Sequence, residues 1–313
     1  MTTNTQAPGI GDREIWHPEN STTAQKRENS HWEISYGKTL GSHFHVLIRP
    51  VSLTGTGDGS YAFGGVWHDT IQLGNITIGN ATIEDAQYVS PSIVYDASLS
   101  GIFGLAIDLG SRVSPQEPNM LDRLLPLLSQ QVFTADLKYH GNGSYEFGRV
   151  DKTKYQGDIH WVKLDDGAEF WQFNFTGFNL GDSNLWFLSQ WTAIADTGTT
   201  LLLLDPMIVE TYYGQTEAAF NDTVGGWTFP CDTDMPPFRL GFDNGYHVTI
   251  PGEYIVYAPV EPGSTFCYGG LQSSLGQPFA ILGDIFLKAC FAVFDVANKH
   301  IGFADKDLGI VSD

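Results

Sequence analysis

The feature that most constrains this chain is a recurrence of short apolar stretches separated by Gly and Asn turns. The stretch "DTIQLGNITIGNATI" (69–83) alternates apolar and polar residues with a period of two, and Gly74 and Gly79 interrupt it, which predicts hairpins. Similar blocks are "YEFGRVD", "DIHWVKL", "FWQFNFTGFNLG", "YHVTIPGEYIVYAPV" and "CFAVFDVANKHIGFAD". Together with 35 Gly and 13% aromatic residues, the pattern predicts a mainly β, mostly antiparallel fold.

Two segments predict helices. The first spans 205–220, with Asp205 as its N-cap. Its apolar face consists of Ile208, Val209, Tyr212 and Tyr213. The second lies near 119–130, where Asn119 is the predicted N-cap and Pro126 bends or shortens the helix.

Length and charge narrow the class of protein. A chain of 313 residues predicts one large or two medium domains. Sixteen basic against 36 acidic residues give a net charge of −20, which disfavours nucleic acid and anionic membranes as partners and suits an acidic medium. The longest apolar stretch, 279–294, is interrupted by Gly283, Asp284 and Lys288, so we predict no membrane span.

Two sequence features bear on whether the protein is secreted, and they point in opposite directions. The opening "MTTNTQAPGIGD" lacks the basic start and apolar core of a secretory signal. The chain nevertheless has more Asn-x-Ser/Thr sequons than the roughly two expected by chance. They begin at Asn20, Asn75, Asn80, Asn142, Asn174 and Asn221. The sequons indicate a secreted glycoprotein whose signal is missing from these residues.

Three cysteines allow at most one internal disulfide and leave one thiol. Cys231 and Cys267 flank polar loops, whereas Cys290 sits in the apolar segment "LKACFAVF" and is predicted to be a buried thiol. A bridge between Cys231 and Cys267 is the favoured interpretation, with unpaired thiols in a reducing compartment as the alternative.

The stretch "AIADTGTTLLLLDP" (193–206) places Asp196 in a Thr-Gly-Thr turn after a short apolar strand. Chemistry with such an Asp usually needs a second carboxylate. Two carboxylates a few ångströms apart cannot both ionise, so they share a proton. Elsewhere, "SGIFGLA" (100–106) and "FAILGDIFL" (279–287) each present two apolar residues followed by Gly.

With these motifs the sequence resembles the pepsin-like aspartic proteases, most closely the secreted fungal ones. The resemblance is carried by "AIADTGTTLLLLD", "CYGGLQSSLG", "AILGDIFLKACFAVFD", "IGFAD" and "HWEISYG". It implies a bilobal pepsin-like fold with an incomplete N-terminal lobe. The implied domains are an unmatched segment 1–14, a partial N-terminal lobe 15–157 with an insertion at 38–57, and a C-terminal lobe 158–313.

The resemblance also implies roles for individual residues. Asp196 would be one member of the catalytic pair, and Gly198 would allow the tight turn. Thr199 would hydrogen-bond the carboxylate, and Thr197 would brace the two lobes. The bridge Cys231–Cys267 matches a disulfide of the family. Cys290 departs from the family pattern and has no cysteine left to pair with.

The hairpin "WEISYG" resembles the family's flap, with Tyr36 and Gly37 at its end and Tyr36 closing on substrate. An ordinary aromatic packed on the sheet is the other interpretation of Tyr36. The insertion at 38–57 contains "SHFH", where His43 and His45 have no supporting carboxylate or Cys, so we predict loop residues and no metal site.

No second Asp-Thr-Gly or Asp-Ser-Gly occurs in the 313 residues. Two other aspartates do not supply the missing turn. Asp12, upstream of "IWHPENSTTAQK" (15–26), follows Gly-Ile-Gly, which is the wrong order for the turn. Asp58 belongs to the hairpin tip. The codons of 38–57 can spell a splice donor, a branch point and an acceptor, and their removal restores "YGDGS". We therefore hypothesise a retained intron in a gene model that also lost its first exon, the alternative being a real insertion in a diverged pseudoenzyme.

The resemblance implies an acid endopeptidase, inactive as written because the first Asp is absent. The expected partners are protein or peptide substrates in an interlobe cleft and pepstatin-type inhibitors, with no cofactor and a monomeric state, in an extracellular or vacuolar location. A catalytically dead binding or inhibitor protein is the alternative. A pair of chains that each contribute Asp196 is a remote third possibility.

Overall fold

A computed structural model describes residues 14–35, 61–95, 99–107, 112–181, 183–243 and 245–309. The chain forms two compact units, of which the first contains the described residues up to Ser129 and the second those from Gln130. The lobe boundary at 157/158 stays a prediction. Tyr36, Gly37, the insertion 38–57 and nearly all of 1–14 lie outside the described residues.

The first unit is built on a four-stranded sheet in the order β3-β2-β1-β4. Its strands and helices are β1 (Gln25–Ser35), β2 (Tyr61–Leu73), β3 (Ile76–Val89), α1 (Pro91–Tyr95), β4 (Val113–Ser114) and α2 (Met120–Leu124), with a 3-10 turn at Pro18–Asn20 and another at Leu125–Leu127. All its strand pairs are antiparallel. Alternate residues face the core, whose centre contains Trp32, Ala62, Val66, Ala86 and Val113.

The segment 69–83 forms one hairpin, so the prediction of a second turn at Gly79 was wrong. β2 and β3 are joined at Gly74 and Asn75, and Gly74 has a φ of 58°. At Gly79 the chain continues in β3, because Gly79 and Asn80 together lie opposite the single residue Thr70. This is a β-bulge, which a Gly in an alternating pattern can also produce.

The second unit contains three sheets. Its elements are β5 (Val132–Asp136), β6 (Ser144–Phe147), β7 (Gln156–Lys163), β8 (Gln172–Leu180), β9 (Trp186–Ala195), β10 (Leu202–Leu204), α3 (Pro206–Tyr213), β11 (Ala219–Asn221), β12 (Gly226–Pro230), β13 (Phe238–Gly241), β14 (His247–Ile250), α4 (Gly252–Ile255), β15 (Val256–Pro259), β16 (Phe266–Gly269), β17 (Leu271–Ser273), β18 (Ala280–Leu282), α5 (Asp284–Leu287), β19 (Phe291–Asp295) and β20 (His300–Asp305), with a 3-10 turn at Lys152–Lys154.

The three sheets have the orders β14-β13-β8-β9-β18-β10-β17, β6-β5-β19-β20-β7 and β11-β12-β16-β15. Aromatic side chains fill the core of this unit, where Phe294 stacks on Phe133 at 4.4 Å and meets Trp171 edge-on at 4.9 Å. Strands account for most of the regular structure, which confirms the predicted mainly β class. Among the described residues no helix is long and apolar enough to cross a bilayer.

Both predicted helices begin where the sequence indicates. Asn119 caps α2 by accepting from the backbone N–H of Asp122, and Asp205 caps α3 by accepting from Met207. The four residues of the predicted apolar face of α3 are fully buried. For the helix predicted over 205–220, the C-terminal part was wrong. The helix α3 ends at Tyr213, and residues Ala219–Asn221 form β11, which pairs with β12.

Candidate active site

Asp196 lies directly after β9, in the middle of the seven-stranded sheet. β9 runs parallel to β18, and the backbone N–H of Asp196 donates to the carbonyl of Leu282 at 3.1 Å, which continues this ladder by one residue. The last residues of β9, Ala193, Ile194 and Ala195, are buried. The strand therefore ends in the core and delivers the carboxylate to a fixed position at the edge of that core.

The Asp-Thr-Gly turn encloses the Asp196 carboxylate. Oδ1 accepts from the backbone N–H of Gly198 at 2.8 Å, and Oδ2 accepts from the Thr199 hydroxyl at 2.7 Å. Burial raises the pKa of Asp196 above its ordinary value, and the hydrogen bonds from Thr199 and Gly198 oppose this by stabilising the anion. The carboxylate thus combines partial burial with two hydrogen-bond donors from its own turn.

Thr199 also ties the turn to the following part of the sheet. Its side chain is buried, and its carbonyl accepts from the backbone N–H of Asp284 at 2.7 Å. Ile285 donates in the same way to Thr200 at 3.0 Å. The first residues of α5 are therefore bonded to the turn that contains Asp196.

A second carboxyl group, Asp284, lies near Asp196 and was missed in the sequence analysis as a site residue. Burial raises its pKa to about 6; the negative charge of Asp196 adds to this, whereas Lys288 opposes it. The Lys288 ammonium lies 3.8 Å from Asp284. A signal for Asp284 exists in the sequence, because "AIAD" and "AILGD" each place an Asp one or two residues after an apolar strand, and these two strands are paired.

Thr197 lies beside Tyr145 of β6, a residue that sequence reasoning did not select. Burial raises the pKa of the Tyr145 phenol, the nearby Thr197 side chain lowers it, and the carboxylates of Asp284 and Asp196 raise it again. Tyr145 and Thr197 belong to the same unit. The role of Thr197 as a brace between two lobes stays a prediction.

The predicted disulfide is present. Cys231 and Cys267 are bonded with a Cα–Cα separation of 4.9 Å, and Cys290 is a free, buried thiol, as expected from its apolar segment. The bridge lies in the small sheet, where Cys267 belongs to β16 and Cys231 follows β12. Within the described ranges, no three His, Cys, Asp or Glu side chains are grouped so that they could hold a metal ion.

Comparisons with known proteins concern the family and the fold. A family model described as eukaryotic aspartyl protease matches residues 41–306. The chain is 38% identical to aspergillopepsin-1 of Aspergillus flavus over 286 residues, which are 91% of this chain and 65% of that protein. It is 37% identical to endothiapepsin of Cryphonectria parasitica over 309 residues, or 98% of this chain and 68% of that protein.

The chain thus spans about two thirds of the length of these relatives. A solved structure, the aspartic proteinase from Irpex lacteus, superimposes with a TM-score of 0.74, covering 95% of this chain and 86% of its own, at 19% identity. That likeness concerns the fold, whereas the family model and the relatives concern the sequence. By these matches the chain belongs to the eukaryotic aspartyl protease family.

Proposed function

We propose that the protein is an aspartic-type endopeptidase that hydrolyses peptide bonds of proteins at acidic pH, with Asp196 as one member of the catalytic carboxylate pair. The observation that carries the proposal is the Asp196 carboxylate, which is partly buried, receives hydrogen bonds from Gly198 and Thr199, and directly follows a strand that ends in the core. Membership of the aspartyl protease family supports the same reaction class.

Asp196 contributes a positioned carboxylate that can hold or release a proton. In aspartic proteases, the standard example of two carboxyls that share one proton, one group takes a proton from water while the other gives one to the substrate carbonyl. The donors from Gly198 and Thr199 favour the ionised form of Asp196, and burial favours the protonated form. These opposed effects suit a group that must exchange a proton during turnover.

The pair requires a second carboxylate in an equivalent turn. The 313 residues contain one Asp-Thr-Gly, so the second would come from polypeptide outside them. We propose that the 313-residue chain alone does not hydrolyse peptides and that a longer product with a second Asp-Thr-Gly does. Its substrates would be proteins or peptides, its inhibitors would be of the pepstatin type, and it would act as a monomer outside the cell or in a vacuole.

Activity assays at acidic pH test this assignment. The longer product should cleave a protein substrate and be blocked by a pepstatin-type inhibitor, and Asp196→Asn should lower kcat by roughly 10²–10⁴-fold or more, because a proton-transfer group is lost. Asp166→Asn removes an exposed carboxylate and should leave activity unchanged. Full activity in Asp196→Asn, or turnover by the 313-residue chain alone, would refute the respective proposal.

A second candidate function is a binding or inhibitory protein on the same scaffold. It is favoured by the single Asp-Thr-Gly and by Ser100, which precedes Gly101 where the family resemblance often places an Asp. Sequencing the transcript from its 5′ end through codon 60 separates the two. A message with an upstream Asp-Thr-Gly and without codons 38–57 supports the protease, and a message that encodes only these 313 residues supports the binding protein.

A further inference from the structure

The six sequons differ in how their Asn side chains lie in the fold. Four are exposed: Asn20, Asn75, Asn80 and Asn142. Asn174 and Asn221 are half-buried. An N-linked glycan is bulky and hydrophilic, so a folded protein can carry one only where the Asn amide nitrogen reaches solvent.

Asn75 and Asn80 lie on the same hairpin, Asn75 in its turn and Asn80 in a β-bulge. Asn75 is one of the two turn residues between β2 and β3. Asn80 occupies the extra position of the bulge opposite Thr70 and has a φ of 55°. Because a bulge residue leaves the regular ladder and a tight turn projects outward, both side chains point away from the core.

The side chain of Asn174, in contrast to those of Asn75 and Asn80, is held by hydrogen bonds within the sheet. Its Nδ2 donates to Oδ1 of Asp165 at 2.8 Å, and its Oδ1 accepts from the Thr192 hydroxyl at 3.1 Å. Its neighbours in the chain, Phe173 and Phe175, are fully buried. A glycan on this nitrogen would displace Asp165 and open the sheet, so the folded protein has no room for one here.

The first half of the strand that carries Asn80, residues 76–82, lies at the margin of its sheet. Among the described residues, β3 is the outermost strand of that sheet, and its ladder partner is β2. A long strand edge with free N–H and C=O groups invites pairing with a second chain, and proteins usually protect such edges.

We propose that Asn75 and Asn80 carry N-linked glycans that shield the first half of the β3 edge from strand pairing, and that Asn174 stays unmodified in the folded protein. The Nδ2 nitrogen of each Asn forms a bond to the anomeric carbon of an oligosaccharide, the bond from that carbon to a lipid diphosphate donor breaks, and the amide loses one proton. The inference rests on the secretory location in the proposed function and is independent of proteolysis.

Peptide mapping tests the acceptor sites. The full 313-residue chain is produced in yeast behind an appended signal sequence, and its glycans are removed by a peptide amidase in water labelled with heavy oxygen, which marks each former acceptor as labelled Asp. We expect label at Asn75 and Asn80 and none at Asn174 in secreted protein. Unlabelled Asn75 and Asn80, in both the secreted and the membrane-enclosed fractions, would overturn the assignment, as would label at Asn174 in secreted, folded protein.

The same mapping on protein from its own host separates this inference from the proposed location. Glycans in yeast but not in the natural host would refute secretion and leave the acceptor assignment standing. The shielding role is tested with Asn75→Asp/Asn80→Asp against Asn20→Asp/Asn142→Asp, a pair that adds the same charge at two other exposed sequons. Asp keeps the side-chain size and tolerates the positive φ at Asn80.

By light scattering at equal concentration, the first double variant should show a several-fold larger aggregated fraction than the second. Equal aggregation of the two variants would refute the shielding of the β3 edge.

Discussion

Asp196 directly follows β9, and Asp284 begins α5 two residues after β18, the parallel neighbour of β9. Their surroundings give the two carboxyls different roles. Asp196 receives two hydrogen bonds from its own turn, whereas the ion pair of Asp284 is with Lys288, 3.8 Å away. Burial raises the pKa of both carboxyls. This arrangement predicts pH effects that substitutions at single residues can isolate.

Asp284→Asn should make the protein less sensitive to rising pH. The carboxyl of Asp284 has a pKa of about 6 in the fold against an ordinary value of 3.8, so the folded state binds its proton more tightly than the unfolded state does. Its contribution to stability is therefore full below pH 3.8 and declines as the pH rises to about 6. The loss amounts to about 2 to 3 kcal/mol for the wild type.

Urea unfolding of both proteins at several pH values from about 3.5 to 7 measures this difference. The exposed variant Asp166→Asn controls for the removal of one negative charge. Parallel stability curves for the wild type and Asp284→Asn would contradict the prediction.

Thr199→Val should raise the pKa of Asp196 further. The substitution keeps the side-chain shape but removes the hydroxyl that donates to Asp196 Oδ2 at 2.7 Å, and it should cost about 1 to 3 kcal/mol of stability where Asp196 is ionised. NMR titration of labelled aspartate carboxyl carbons measures the change. Thr200→Val is the matched control, because the adjacent Thr200 hydroxyl lies near Tyr257 and is not among the groups that lower the pKa of Asp196. Equal shifts in the two variants would argue against the role of Thr199.

At the scale of elements, the site depends on how closely α5 approaches the Asp-Thr-Gly turn. Gly283, at the start of α5, lies where a Cβ would come within 2.3 Å of the carbonyl oxygens of both Thr199 and Leu201. Those contacts are with backbone, which cannot rotate away. The absence of a side chain at Gly283 therefore permits the hydrogen bond from Asp284 to Thr199.

Gly283→Ala should destabilise the protein by at least about 1 to 3 kcal/mol, because the turn and α5 must separate. Gly79→Ala is the control, since a Cβ there would meet nothing within 4 Å. Urea midpoints of the two variants provide the comparison. A similar small effect for both would show that α5 can move without cost and would contradict the close-approach argument.

At the scale of the whole molecule, one covalent link closes a loop in the second unit. Cys231 and Cys267 are 36 residues apart, and closing a loop of this length stabilises a protein by about 4 kcal/mol in the chain-entropy model. Cys231→Ser/Cys267→Ser should lose most of that stability in urea unfolding. An unchanged unfolding midpoint would refute the prediction. As a control on the thiols, the buried Cys290 should react with a thiol reagent only after unfolding.

The sequence by itself determined the class of fold, the helix starts at Asn119 and Asp205, the buried Cys290 and the Asp196 turn. These are local properties: strand alternation, capping and turn chemistry act within a few residues. Only the tertiary structure decided that Gly79 forms a bulge and that Ala219–Asn221 joins β12 and not α3. It also decided that Asp284 and Tyr145 lie close to Asp196. Those outcomes depend on pairing between strands far apart in sequence, and no short stretch of residues encodes such pairing alone.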